Sequence, residues 1–439
     1  MNPSLKNPIR NSSLKNKGKI LSWTLFDFAN TSYSIVVVTF LFAVYFKQTV
    51  VSGKPVGDFY WSVATSISMI ITAIISPVLG AIADHSAGKK RFLLFFTLMC
   101  ITATAMLYFI KEGDVFAAVI LFIFANVGFE SGLVFYDSFL PELTAPKNYG
   151  RVSGYGFAMG YLGSLVILAI AFPFIKAGAI RETFVIASLF FLVFSLPLFI
   201  FLQDSRKKAE GHKPYYKIGF ERVLFTLKHL KENKNLMYFL LAFFFFIEGV
   251  NTVIFFSGNY ASTTLHFSMN ELIVFFIIVQ TTAIIGSVLF GVISDSIGQK
   301  RALIFSLVIW IGTILFAYLT SSTEAVLVKM INSVTGMDPV SIEVYSFYIV
   351  GLLAGSVMGA TQSTSRGLMS KLIPPERKTE FFGFYSFFGK SSAIVGPLTF
   401  GLASYITGNQ RFAILTVIFF FAVGLILLQK VSEPAPAKE

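Results

Sequence analysis

Two stretches decide the fold: GAIADHSAGKKR at residues 80–91 and GVISDSIGQKR at residues 291–301. Each sets a glycine, an aspartate four positions on, a second glycine three or four further, and then a basic cluster. The first reads Gly80, Asp84, Gly88 and Lys89 to Arg91, the second Gly291, Asp295, Gly298 and Lys300 with Arg301. Each also joins two long apolar runs. Runs of that kind fill the 439 residues, of which 55% are hydrophobic and 13% charged, about half the charged share of a soluble domain. A helix rising about 1.5 Å per residue needs roughly 20 apolar residues to cross about 30 Å of hydrocarbon. Twelve spans reach that length: 21–46, 59–83, 92–110, 115–139, 152–175 and 182–202, then 236–258, 271–294, 302–320, 343–364, 381–405 and 411–430. They are too long and too evenly apolar for the alternating, roughly ten-residue strands of a membrane barrel. The expected fold is all-α and integral to a membrane, with twelve transmembrane helices in two pseudo-symmetric six-helix bundles.

A formal net charge of +12 raises the question of nucleic-acid binding, and the placement of the charge answers it in the negative. With alternate loops assigned to alternate sides, one side collects 27 Lys and Arg and the other 7, while Lys390 falls inside a span. By the positive-inside rule both termini then lie in the cytoplasm, and the expected location is a plasma (inner) membrane, with the lipid bilayer as the surrounding partner. The basic, polar residues 1–20 lead into the first span without a small-residue cleavage site, the pattern of an anchored helix rather than a removed signal peptide. The single cysteine, Cys100, lies mid-span, so no intramolecular disulfide is available.

The chain divides into a basic N-terminus (1–20), a first bundle (21–202), a linker (203–235), a second bundle (236–430) and a short tail (431–439). The linker carries nine Lys and Arg against four acids. Within it Phe220, Val223, Leu224, Leu227 and Leu230 recur at helical spacing, with Arg222, Lys228 and Lys231 off that stripe, as in a helix lying on a membrane surface. Repetition ties the bundles together, as it does in transporters built from duplicated halves. Besides the two loops, span 1 reads Asp27-Phe28-Ala29-Asn30-Thr31 where span 7 reads Glu248-Gly249-Val250-Asn251-Thr252. Spans 5 and 11 share glycines six apart, Gly154 with Gly160 and Gly383 with Gly389, each preceded by a Pro-Glu step. Glycines at such spacing, Gly156 and Gly160 among them, let helices approach closely.

The paired loops resemble the cytoplasmic signature of the major facilitator superfamily. A narrower resemblance covers nearly the whole chain: WTLFDFANTSYSIVVVTF (23–40), NVGFESGLVFYDSFLPEL (126–143), GRVSGYGFAMGYLG (150–163), EGVNT (248–252) and SRGLMSKLIPPERKTEFFGFYSFFGKSSAIVGP (365–397) look like the vacuolar amino-acid effluxer, or autophagy-related permease, family and its bacterial members. The departures are Phe28, where that pattern calls for tryptophan, and Glu248, where it calls for aspartate. The resemblance implies an alternating-access carrier, and in fungal members release of amino acids from the vacuole. The amino-acid cargo is implied by the resemblance and by nothing in the residues themselves.

Ionisable groups at bilayer depth cost roughly 2.5–3.5 kcal/mol each on insertion scales, so each demands a reason. Asp27 falls about two turns inside span 1, and Glu130, Glu248 and Lys390 fall near the middle of spans 4, 7 and 11. By the resemblance, Asp27, Glu130 and Glu248 face one another across a central cavity. Asp27 with Asn30, and Glu248 with Asn251, share helical faces and suit a zwitterion or a hydroxylated solute. Lys390 is placed to neutralise an acid or to meet a substrate carboxylate. These five are the expected substrate site for a small molecule, and Glu130, with Glu248 second, is the expected proton-coupling site. A static network that only fixes helix packing is the competing account.

The loops are expected to form a cytoplasmic gate of Gly80, Asp84, Gly88, Lys89, Arg91, Asp137, Gly291, Asp295 and Arg301. In it Asp84 and Asp295 face helix N-termini, and Lys89, Lys90 and Arg91 meet Asp137. For the lysines a role in topology alone competes with this. An enzyme is not expected: His85, His212, His229 and His266 are scattered in loops, and neither H-E-x-x-H nor G-x-x-x-x-G-K-[ST] occurs. No cofactor, metal or obligate protein partner is called for. A lipid flippase or a non-transporting sensor on the same fold, and sugar or drug efflux within the carrier class, are the alternatives.

Overall fold

A computed structural model of the chain describes residues 13–86, 88–204, 215–229, 233–392 and 395–434. Its regular elements are helical. The first half comprises α1 (Lys17–Val50), α2 (Val56–Ser86), α3 (Lys89–Met106), α4 (Val115–Asp137), α5 (Tyr149–Lys176) and α6 (Ile180–Phe201). The linker helix α7 (Tyr215–His229) follows. The second half comprises α8 (Lys234–Thr263), α9 (Met269–Ile297), α10 (Gln299–Thr320), the short α11 (Val326–Thr335), α12 (Pro339–Leu372), α13 (Lys378–Ser392), α14 (Val395–Thr407) and α15 (Gln410–Gln429). Among the described residues 11 helices are long and apolar enough to cross a membrane. The expected eleventh span is covered by α13 and α14, and residues 393–394 between them lie outside the described residues.

Local chemistry sets several of these boundaries. Ser268 and Glu271 close a capping box at the start of α9, and Asp338 accepts from the Ser341 N–H before a proline-initiated α12. Gly298 turns the chain between α9 and α10 at φ +98°, a conformation open to glycine. In α1 the run Ser34–Thr39 is wound as a π-helix and ends at Phe40, whose N–H reaches back to the Ile35 carbonyl. Such insertions relax a helix whose β-branched residues crowd one another. Hydropathy alone ends the tenth span at residue 364, whereas α12 continues to Leu372 and carries Arg366 inside the bundle.

The halves meet along two glycine seams related by the sequence repeat. Gly80 of α2 lies against the Thr379 and Glu380 backbone of α13, and a Cβ on Gly383 would come within 2.6 Å of the Pro77 Cα. In the equivalent seam Gly154 of α5 lies against the Ser287 carbonyl of α9, and a Cβ on Gly291 would meet the Gly150 carbonyl at 2.8 Å. Backbone contacts this close leave no room for side chains, which is why small residues occupy both seams. Within the first half Gly163 of α5 does the same against the Phe28 carbonyl of α1, while Gly156 leaves room for the Asp27, Trp23 and Arg366 side chains. The hydrogen bonds and ion pairs joining the halves run from the end where α1 begins, the basic end, to mid-depth. Toward the other end the Phe40 ring meets Phe276, centroids 5.5 Å apart.

The linker differs from its sequence reading in rotation. Gly219, Val223 and Thr226 of α7 turn toward the bundle while Phe220 and Leu224 stay exposed, so the apolar stripe is split between protein and surroundings. Leu230 and Lys231 of that stripe, like residues 1–12 and 435–439, lie outside the described residues, as does the Leu227 side chain.

Candidate functional site

A residue that hydropathy leaves in a loop organises the centre of the basic half. Arg366 of α12 is buried and points into the first bundle, where its Nη1 donates to Asp137 Oδ1 at 2.9 Å and to Asp27 Oδ2 at 3.4 Å. Its Nε donates to Ser153 Oγ and its Nη2 to the Ser153 carbonyl, both at 2.9 Å, and Nη2 also reaches Asp27 at 3.4 Å. The guanidinium packs over the rings of Phe157 and Trp23, 4.1 and 4.7 Å from their centroids. A planar cation with five donors is the side chain able to hold two carboxylates and a backbone oxygen at once. Asp27 keeps its expected neighbour as well, accepting from Asn30 Nδ2 at 3.4 Å.

Seven residues before Asp137, about two turns along α4, Glu130 forms an ion pair with Lys390 of α13 at 2.5 Å. Neither residue has an evident charged counterpart in the other half of the repeat, and the structure joins them to each other. Four residues before Arg366 on α12, Gln362 accepts from Tyr161 of α5 at 2.5 Å. Within the first bundle Tyr33 donates to Asn126 at 3.3 Å, and Asn126 to Ser68 Oγ at 2.7 Å. Asn126 is four residues from Glu130, so this polar chain and the ion pair share one face of α4. Arg366, Tyr161, Gln362 and Asn126 were missed in the sequence. Among them the polar residues inside long apolar runs were detectable, and Arg366 was not.

Three expectations need correction. Asp27, Glu130 and Glu248 do not face one another: Asp27 engages Arg366, Glu130 engages Lys390, and Glu248 is buried against α14, accepting from the Gly396 N–H at 2.5 Å and from Thr252 at 3.4 Å. Glu248 and Asn251 therefore do not act as one pair. The i+4 hydroxyl of Thr252 and the Gly396 N–H donate to Glu248 instead. Asp137 meets Arg366 rather than Lys89 to Arg91. Lys89 instead pairs with Glu142 at 2.5 Å, Lys90 Nζ donates to the Leu202 carbonyl at 2.5 Å, and Arg91 is exposed, as is Arg301. Asp84 and Asp295 do face helix N-termini, but in the opposite half rather than at the next helix.

That crossing is symmetric. Asp84 Oδ2 accepts from the Glu380 N–H at the start of α13 at 2.9 Å. Asp295 accepts from the Gly150 and Arg151 N–H groups at the start of α5, at 2.9 and 3.1 Å, and from Arg151 Nε at 2.9 Å. The following helices take their caps from the ends of their own halves. Asp204 accepts from the Lys90 N–H at 3.3 Å, and Glu433 accepts from the N–H groups of Gln299 and Lys300 at 3.0 and 2.8 Å while pairing with Lys371 at 2.7 Å. Gln299 Nε2 then reaches Asp295 at 3.2 Å. Gly88 is buried at the turn before α3, and Gly291 is buried within α9. Lys378 lies 3.9 Å from Glu142, adding a further tie between the halves. Every one of these ties sits at the basic end.

Two six-span bundles joined by a linker, closed against each other through capped helix ends and buried charge at one end, define a secondary transporter of the major facilitator superfamily and not an enzyme. The pattern described as "Vacuole effluxer Atg22 like" matches residues 59–150 and 144–437, and the chain belongs to that family. It is 31% identical over 427 residues to the MFS-type transporter YxiO of Bacillus subtilis, with 94% of each chain covered. It is 24% identical to Autophagy-related protein 22 of Kluyveromyces lactis, with 82% of this chain and 77% of that one covered. Among solved structures it resembles the human organic anion transporter MFSD10 (TM-score 0.72, 13% identity, 94% and 99% of the chains) and the proton:xylose symporter XylE (TM-score 0.70, 14% identity, 96% and 97%). A bacterial homologue of the iron transporter ferroportin in an outward-facing state is similar to the same degree (TM-score 0.69, 14% identity, 95% and 98%).

Proposed function

We propose that the protein moves a zwitterionic small molecule, an amino acid or a related metabolite, across a plasma membrane by alternating access, with both termini in the cytoplasm and proton movement through Glu130 driving the cycle. The observation that carries this reading is the Glu130–Lys390 ion pair, which joins the halves at 2.5 Å in mid-bundle. An ammonium group can replace Lys390 beside Glu130 while a carboxylate replaces Glu130 beside Lys390, so a zwitterion inserts into the pair without leaving either charge bare. Asp27 with Asn30 supplies further donor and acceptor capacity. The family's fungal members, described as vacuole effluxers, are consistent with such a cargo. Glu248, buried with one oxygen lacking a hydrogen-bond partner, is the second proton site.

In this reading the contacts at the basic end form the cytoplasmic gate in its closed state. Alternation requires the Arg366 cluster and both capped helix starts to break together. A melting-temperature screen of purified protein against amino acids and small peptides tests the cargo, since a ligand bound only by the native state stabilises by mass action. Amino acids are expected to raise the midpoint in proportion to log concentration, and sugars are not. For coupling, uptake into vesicles is expected to respond to an imposed pH gradient, and uptake indifferent to that gradient removes the proton from the mechanism.

A further inference from the structure

The linker helix α7 lies across the seam that the gate must open. On one side a Cβ on Gly219 would come within 2.9 Å of Ile82 and 3.0 Å of Val78, both on α2. On the other side Thr226, 3% exposed, donates to Glu380 Oε1 and receives Arg377 Nη2, both from the start of α13. Glu380 is thereby held three ways: its N–H by Asp84, its carboxylate by Arg377 at 2.9 Å and by Thr226. The linker touches both halves at the point where Asp84 caps α13, and it can keep both contacts only while α2 and α13 stay together.

The outward face of α7 has a second character. Phe220 and Leu224 are each 56% exposed, and Lys217 and Lys228 are exposed on the adjoining face. Val78 and Ile82, which α7 covers, continue the α2 row that includes Ile67, Ile70, Ile71 and Ile74, all exposed toward the surroundings of the bundle. The apolar side of α7 thus prolongs the lipid-facing surface of α2 past its basic end. Apolar residues flanked by lysines at that level fit an anionic bilayer surface, with the rings at the acyl boundary and the ammonium groups among the headgroups.

We propose that α7 is a lipid-sensing clamp: docked across the α2–α13 seam it binds an anionic membrane surface, and that binding holds the basic end closed. Lipid shifts the equilibrium because α7 is held in its lipid-facing orientation by α2 and α13 together only in the closed state, and a ligand acts only through its difference in affinity for the two states. Each lysine near the surface is worth about fivefold in the closed-to-open ratio.

The test uses the full chain in phosphatidylcholine vesicles with and without phosphatidylglycerol. A spin label at Leu224→Cys reports depth through its accessibility to oxygen against a water-soluble relaxant, and labels at Ser86→Cys and Glu376→Cys report the width of the seam. The Leu224 label is expected to favour oxygen, and phosphatidylglycerol to enrich the short distance. Lys217→Glu with Lys228→Glu is expected to abolish the lipid effect while leaving the distribution in pure phosphatidylcholine unchanged. Thr226→Val is expected to keep the depth and lose the lipid effect on the seam. A Leu224 label that favours the aqueous relaxant overturns the membrane contact. Equal seam distributions in both vesicles, or a lipid effect that survives Thr226→Val, overturns the clamp. The depth measurement stands whether or not the protein carries a zwitterion, so failure of the clamp and failure of the cargo assignment are separable.

Discussion

Replacing Arg366 with glutamine removes the charge that the gate is built around, and the size of the effect follows from where its partners sit. Asp27 and Asp137 belong to the first bundle, Arg366 to the second, and its side chain is 3% exposed. In the closed state the substitution strands two carboxylates without a counter-charge, at a cost of about 3–5 kcal/mol for a broken buried pair. When the basic end opens, water reaches both acids and most of that cost disappears. The closed-to-open ratio should therefore fall by roughly two to three and a half orders of magnitude. Spin-label distances between the ends of α2 and α13 measure it directly: the short distance should dominate in the natural protein and become the minority in Arg366→Gln. Arg366→Lys keeps the charge but lacks the donors for Ser153 and for both acids together, so it should lie between. An unchanged distance distribution in Arg366→Gln would refute the argument that this cluster closes the gate.

Other consequences can be checked alongside. Asp84→Asn and Asp295→Asn each remove a carboxylate from a helix N-terminus, worth about 0.5–2 kcal/mol. Transport should fall in both while expression and membrane insertion persist, and unchanged transport would reject the gate role. Glu130→Gln and Lys390→Gln should each lower thermal stability, by about 1–3 kcal/mol given that Lys390 is 25% exposed. The double variant should lose less than the sum, and additive losses in a double-mutant cycle would show that the pair is not coupled. Gly154→Leu should prevent the α5–α9 seam from closing, because the Ser287 carbonyl occupies the space a side chain needs. Its seam labels should read open, and a closed reading would contradict the packing.

The parts of this architecture that hydropathy and repetition encode were legible in the sequence. A charge inside an apolar run is conspicuous, so Asp27, Glu130, Glu248 and Lys390 stood out, and the duplicated loop announced two halves. Arg366 did not stand out because it follows the polar stretch Thr361-Gln362-Ser363-Thr364 and precedes a basic loop, so its helix looked finished. Lys89 was assigned to Asp137 on proximity along one bundle, whereas Arg366 reaches that acid from the other bundle, a crossing that no within-half periodicity records. Glu142, Asp204 and Glu433 look like ordinary loop acids; the salt bridges of Glu142 with Lys89 and Lys378, and the caps that Asp204 and Glu433 give α3 and α10, depend on where those elements lie in space. The linker stripe gave the helix but not its rotation, because periodicity cannot tell whether an apolar face meets protein or lipid.

The central claim, that a zwitterion exchanges with the Glu130–Lys390 pair between the halves, is tested most directly by counterflow in liposomes. Vesicles loaded with unlabelled amino acid should accumulate the labelled form transiently. The Glu130→Gln/Lys390→Gln variant, folded and inserted at the level of the natural protein, should accumulate none. Counterflow in that variant equal to the natural protein's, or its absence from the natural protein with every amino acid tried, would contradict the account.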